Sequence, residues 1–220
     1  MKAYLTNTIE NKTLLVTVPG SKSESNRLLI LKNIYPNISL HNLSNCDDTL
    51  ALSRGIETKN GIVDVHHAGT AMRFLTSFFA SKKDIELTLT GSKRMQERPI
   101  KILVDTLRVI GADISYIKNN GYPPLKINGK ELILDSLSID ANISSQYISS
   151  LMLIAPSLHK GLTITLKNKI TSVPYIKMTL ELLCRIGICC SLNNNIIKIA
   201  STKTINDVTI DIESDWSSAS

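Results

Sequence analysis

Residues able to hold an anion crowd into one stretch, Pro19-Gly20-Ser21-Lys22-Ser23-Glu24-Ser25-Asn26-Arg27, followed at once by the apolar run Leu28-Leu29-Ile30-Leu31. The Pro-Gly turn ends a strand-like segment at 14–18, small hydroxyl residues suit a helix N-cap, and the apolar run carries the helix on. Backbone N–H groups, hydroxyls, an ammonium and a guanidinium therefore meet at one helix N-terminus, which is itself the positive end of a dipole. Ser23 and Arg27, four apart, project from one face. The guest such a corner suits is a phosphate or a carboxylate. The glycine pattern and Lys-Ser/Thr ending of a Walker loop are missing, so nothing marks it as a nucleoside triphosphate loop. The plainer alternative is a capped helix with two solvated basic residues.

The same chemistry recurs downstream. His67-Ala68-Gly69-Thr70 and Ser144-Ser145-Gln146 each precede a helical pattern, and Arg98 before Pro99 and Ser172 before Pro174 stand at two more helix starts. Singly, each has a simple explanation: Ser-Ser as a cap, Gly69 as a tight turn, Arg98 as a surface arginine, His67 as a hydrogen-bonded structural histidine. Asp47 and Asp48 read as first-turn helix charges rather than an acid/base or metal pair.

The elements around these residues repeat. A helix from Thr70, a strand at 85–90, a helix from Pro99 stopped at Gly111, and strands at 112–117 and 125–127 form one set. A helix at 146–154, a strand at 162–166, a helix from Pro174 stopped near Gly187, and strands at 188–192 and 196–199 form the next. Pro99 and Pro174 lie 75 residues apart, Gly111 and Gly187 76. Two α-β-α-β-β units result, with a shortened one before them over 25–65. Two short strands joined by an Asn-Lys turn open the chain. Units unable to bury their faces alone must pack together, which predicts an α/β lobe with helices inside and sheets outside, an inside-out α/β barrel. Equivalent helix N-termini should then converge on one pocket.

The 220 residues carry a formal charge of +6, 43% hydrophobic and 20% charged residues, as an ordinary globular chain does. Basic residues are scattered and only three Phe and one Trp are available for stacking, which favours small anions over nucleic acid. No apolar run is long enough to span a membrane, and the N-terminus has no signal-peptide pattern, so a cytoplasmic protein without membrane contact is expected. Cys46, Cys184, Cys189 and Cys190 fit no zinc spacing and read as reduced core residues; no metal is expected.

Six blocks in order resemble the enolpyruvyl transferase family, on the branch acting on shikimate 3-phosphate. They are Pro19-Gly20-Ser21-Lys22-Ser23 with Asn26-Arg27; Ala68-Gly69-Thr70-Ala71-Met72-Arg73; Arg94-Met95 with Glu97-Arg98-Pro99; Ser144-Ser145-Gln146-Tyr147; Ser172 with Pro174-Tyr175; and Asp215 with Ser217-Ser218-Ala219-Ser220. The resemblance implies transfer of the enolpyruvyl group of phosphoenolpyruvate to the 5-hydroxyl of shikimate 3-phosphate, with release of phosphate and no cofactor. It implies that Lys22 contacts both substrates and that Ser23, Arg27, Ser144, Ser145, Gln146 and Ser172 hold shikimate 3-phosphate. Arg98 and the backbone near Gly69 and Thr70 would hold phosphoenolpyruvate, with His67 and Tyr175 as further candidates.

It also implies that residues 19–220 form the N-terminal lobe and that residues 1–18 pack on a second lobe absent from this chain. The family's acid/base residues lie in that second lobe, so residues 1–220 are expected to be inactive alone. Full-length members are expected to be monomeric. Three departures stand out: His67 where the family usually has Asn, a short 54–66 segment, and Trp216 in place of a small residue. The related branch acting on UDP-N-acetylglucosamine would carry Lys-Asn at 22–23 and a loop cysteine near Arg98. Ser23, and the lack of cysteine between Cys46 and Cys184, argue against it.

Overall fold

A helix that is apolar around most of its circumference has to be surrounded. Gly69–Ala80 is such a helix (α3), and all twelve of its residues are buried. This arrangement comes from a computed structural model that describes residues 2–6, 13–142 and 144–219. Ser145–Ile154 (α6) is buried at nine of its ten positions and packs along α3. Lys22–Ile34 (α1) packs against both. Around this trio, Asp47–Ile56 (α2) contacts α1 and α3, Lys101–Val109 (α5) contacts α3, and Val173–Arg185 (α7) contacts α1 and α6. Phe74, Phe79, Leu28, Leu31, Met72 and Leu75 fill the space between helices.

The sheets close the outside. Asn60–Asp64 (β4), Glu86–Thr90 (β5), Asp113–Tyr116 (β6) and Leu125–Asn128 (β7) form a sheet in the order β4-β5-β7-β6. Ser136–Asp140 (β8), Leu162–Lys167 (β9), Cys190–Asn193 (β10) and Ile196–Ile199 (β11) repeat it as β8-β9-β11-β10. In each, the first two strands are parallel and the rest antiparallel. Burial alternates along β5 and β9, so one face of each sheet lies on the helices. The helices-inside, sheets-outside expectation therefore holds.

The unit itself needs correction: it is β-α-β-α-β-β, with an opening strand that pattern reading passed over. Residues 60–64 belong to the second unit and do not end the first. Only Val63 of that strand is buried, so it has no alternation to detect. In the first unit the opening strand comes from the far end of the chain. Val208–Asp211 (β12) pairs in parallel with Ile38–His41 (β3), just as β4 pairs with β5 and β8 with β9.

Lys2–Thr6 (β1) and Thr13–Thr17 (β2) pair only with each other among the described residues. The expected Asn-Lys turn between them lies outside those residues. Gly111 and Gly187 take positive φ just beyond α5 and α7, where the helices stop. The cysteines are free, as expected, but they are not core. Cys184 and Cys189 are exposed, while Cys46, at the N-cap of α2, and Cys190, whose Sγ lies 3.5 Å from the Leu180 carbonyl at the edge of the core, are half-buried. No helix among the described residues is long and apolar enough to cross a membrane.

Candidate anion-binding site

The turn before α1 is held in place by the other end of the chain. Ser21 N–H donates to the Glu213 carbonyl at 2.7 Å and its hydroxyl to Asp215 Oδ2 at 2.5 Å. Ser214 Oγ donates to the Val18 carbonyl at 2.7 Å. Ser218 donates to Asp215 Oδ1 through its backbone N–H at 2.8 Å and its hydroxyl at 2.9 Å. Partial burial alone would raise the Asp215 carboxyl, but the hydrogen bonds from Ser21, Ser218 and the Ser217 backbone outweigh it and leave it below the ordinary value. Ser21 also caps α1, its Oγ lying 3.5 Å from Glu24 N.

Arg27, one turn further in, is only 3% exposed. Its Nε donates to Thr179 Oγ1 at 2.8 Å, one Nη to the Ser23 carbonyl at 2.8 Å and the other to Ser149 Oγ at 2.9 Å. The guanidinium also lies 5.5 Å from the Phe74 ring centre and 5.7 Å from that of Tyr175. No carboxylate among the described residues forms an ion pair with it, and burial pulls it down to about 10. A desolvated cation whose neighbours are neutral is unfavourable by itself and favourable once an anion arrives.

An anion has room to arrive. A cavity of about 370 Å³ is lined by Lys22, Ser23, Arg27, Thr70, Ser144, Ser145, Gln146, Tyr175, Met178, Asp215 and Ser217. All of these except Asp215 and Ser217 come from the N-terminal halves or caps of α1, α3, α6 and α7, so the positive ends of four helices border one space. Gln146 Nε2 donates to Thr70 Oγ1 at 3.1 Å, tying α6 to α3 across the opening, and Ser144 caps α6. A second cavity, of about 390 Å³, lies at the opposite pole, where Ile34, Lys82 and Pro156 mark the other ends of α1, α3 and α6. Lys82, Lys83, His159 and Lys203 also line it, but it faces the carbonyl-bearing ends of those helices and so lacks the converging helix N-termini of the first.

The expected residues divide into three groups. Lys22, Ser23, Arg27, Thr70, Ser144, Ser145, Gln146 and Tyr175 share the cavity. Gly69 and Arg98 form a corner beside it: a Cβ on Gly69 would lie 2.6 Å from Arg98 Nη1 and 3.1 Å from Cζ, so the guanidinium rests directly on the glycine. Ser172 and His67 do not line the cavity. Ser172 is the N-cap of α7. His67 is exposed, with Nδ1 2.6 Å from His66 Nδ1 and Nε2 3.7 Å from Asp47.

Met178 in the cavity wall, and Thr179 and Ser149 behind Arg27, complete the site beyond the expected residues. Their signal was present: Ser149-Ser150 and Thr179 are polar points on otherwise apolar helix stripes, four residues beyond Ser145 and Tyr175.

With this geometry in view, comparison with known proteins is direct. The sequence model of the family described as EPSP synthase (3-phosphoshikimate 1-carboxyvinyltransferase) matches residues 40–220. The 3-phosphoshikimate 1-carboxyvinyltransferase of Bacteroides fragilis strain YCH46 is 41% identical over 218 residues, covering 99% of this chain and 53% of that protein. That of Shewanella amazonensis is 38% identical over 201 residues, 79% and 47% respectively. The solved EPSP synthase from Acinetobacter baumannii superposes with a TM-score of 0.76 at 22% identity, over 93% of this chain and 51% of its own. This chain spans about half the length of the curated relatives it matches. Matched over residues 40–220 by the family's sequence model, and folded as its solved member is, the chain belongs to the EPSP synthase family.

Proposed function

We propose that the chain supplies the shikimate 3-phosphate half of an enzyme that transfers the enolpyruvyl group of phosphoenolpyruvate to the 5-hydroxyl of shikimate 3-phosphate, releasing phosphate. The single observation that carries this reading is Arg27, buried without a carboxylate partner among the described residues and opening on a cavity bordered by four helix N-termini. Lys22, Ser23 and Arg27 take the phosphate or carboxylate of shikimate 3-phosphate, while Ser144, Ser145 and Gln146 take its remaining polar groups, with Ser172 and Tyr175 at the α7 side. Phosphoenolpyruvate sits at the corner of Gly69, Thr70 and Arg98, with Lys22 between the two guests and His67 at the outer rim.

Both substrates carry a phosphate and a carboxylate, so bringing them into contact works against their repulsion. Cations and fixed N–H dipoles offset that repulsion before chemistry begins. The reaction also needs a proton for the methylene carbon of phosphoenolpyruvate and an acceptor for the hydroxyl proton. Asp215, the one carboxylate in the cavity wall among the described residues, is held toward its ionised form and so has no proton to give, and both its oxygens are already engaged by Ser21 and Ser218, which makes it a poor base. The acid/base groups accordingly belong to a second lobe. β1 and β2, unattached to the other sheets, pack on that lobe.

The enzyme works in the cytoplasm as a monomer, without cofactor, nucleic acid or membrane; the free cysteines fit a reducing compartment. The test is a titration of the purified chain followed by NMR. Shikimate 3-phosphate should move the amide signals of Lys22, Ser145 and Gln146, and single-stranded DNA should leave them in place. Unmoved signals with shikimate 3-phosphate, or appreciable turnover by residues 1–220 alone, would each refute the corresponding half of the reading.

A further inference from the structure

Arg73, one turn beyond Gly69 on α3, is 5% exposed and does not line the cavity. Its Nη1 donates to the Gly69 carbonyl at 3.1 Å and lies 3.6 Å from Met95 Sδ. The guanidinium also reaches the Tyr147 hydroxyl, which donates to the Pro99 carbonyl at 2.7 Å. Its Nε is buried with no partner among the described residues, and no carboxylate among them pairs with the side chain. Burial and, further on, the charge of Arg98 lower it; the nearby Tyr147 acts in the opposite direction.

Two guanidinium groups close together at the positive end of a helix are costly when nothing anionic is present. An arginine that only filled space would be better replaced by an apolar side chain of its size. What Arg73 touches is informative. Gly69 opens α3, Met95 lies in Lys93–Gln96 (α4) just before Arg98, and Pro99 follows Arg98. These pieces make the corner where the Arg98 guanidinium lies on Gly69. Arg27 grips the carbonyl four residues before it in the same way, but Arg27 itself lines the cavity while its other donors hold the buried Thr179 and Ser149, whereas Arg73 is off the cavity and holds the frame behind the corner.

We propose that Arg73 is a positioning residue: by holding the Gly69 carbonyl, Met95 and, through Tyr147, Pro99, it fixes Arg98 over Gly69 so that a second anion is received there. This rests on the assignment of the Gly69–Arg98 corner to the phosphorylated co-substrate.

The experiment titrates inorganic phosphate into the unaltered chain, Tyr147→Phe and Arg73→Lys. It reads the Gly69 amide and Arg98 Nε–H resonances, and measures shikimate 3-phosphate affinity separately by calorimetry. Phosphate should move both resonances in the unaltered chain. Tyr147→Phe, which keeps the ring and loses the hydroxyl, should weaken phosphate about three- to tenfold, the scale of one hydrogen bond. Arg73→Lys, which loses the planar fork, should weaken it by roughly tenfold or more. Shikimate 3-phosphate affinity should stay within about twofold in both, since a neutral change is expected to remain within about 0.5 kcal/mol.

Equal loss of both affinities would mean a merely structural arginine and overturn the proposal. So would unchanged phosphate binding in Tyr147→Phe, which remains decisive if Arg73→Lys fails to fold, and so would phosphate leaving Gly69 and Arg98 untouched in the unaltered chain. If phosphate behaves as expected while shikimate 3-phosphate does not bind, the functional assignment falls and the positioning role stands.

Discussion

Arg27 gathers into one side chain the contest that defines this site, because its burial disfavours the charge that an incoming anion needs. Replacing it by Met keeps most of the volume and removes the charge. Shikimate 3-phosphate binding should then weaken by roughly 1.5–3 kcal/mol, about ten- to hundredfold, as for loss of a charged hydrogen bond. Thermal stability of the ligand-free chain should stay level or rise, since a desolvated cation is removed. Calorimetry and a melting curve on Arg27→Met check both halves, and a large fall in Tm with unchanged affinity would reverse the argument. At Gly69 the effect is steric. An added methyl lies 2.6 Å from Arg98 Nη1, the far end of a flexible, exposed side chain, so the guanidinium swings away at little cost to the fold. Gly69→Ala should therefore weaken phosphate or phosphoenolpyruvate at the corner severalfold and leave shikimate 3-phosphate binding and Tm nearly unchanged.

Among the elements, the helices were the most legible from sequence, because their caps and stops are chemical signals. Ser21 and Ser144 cap α1 and α6 as residue type suggests, and Gly187 ends α7 with φ of +85°. Nothing lies within 4 Å of a Cβ built on Gly187, so Gly187→Ala isolates the backbone term. A left-handed conformation should cost about 1 kcal/mol there. For a chain of this size that lowers Tm by about 2–4 °C, with ligand affinity unchanged. Strands were harder. The opening strand β4 is mostly exposed and shows no alternation, whereas Ser136-Leu137-Ser138-Ile139-Asp140 of β8 does alternate and carried a signal that was passed over. Cys184 is exposed for a related reason: its helical context is plain in the sequence, but which side of α7 faces the core is settled by what packs on it.

For the molecule as a whole, the chain's two ends close the first unit. β12 on β3 joins residues 170 positions apart, and the Asp215 cluster on the α1 turn joins residues 194 apart. Asp215 gives this closure a pH dependence. Its folded-state value is depressed, so its contribution to stability is present above the unfolded value near 3.8 and is lost as pH falls through the folded value. Asp215→Asn should be less stable than the unaltered chain at neutral pH and should lose less on acidification below about pH 4. Denaturant melts at pH 7 and pH 3 measure the difference; parallel acid limbs would show that the carboxylate does not matter.

Sequence by itself determined the repeat, its helices and stops, and the residue types able to hold an anion, because propensity, capping and spacing act within a few positions of the chain. Only the tertiary structure decided that eight of those residues share one cavity while His67 and Ser172 stand off it. The same holds for Arg27 lacking a carboxylate partner and for β12 completing the first unit. Burial and pairing between distant segments are properties of how the units close on one another, and no local pattern encodes them.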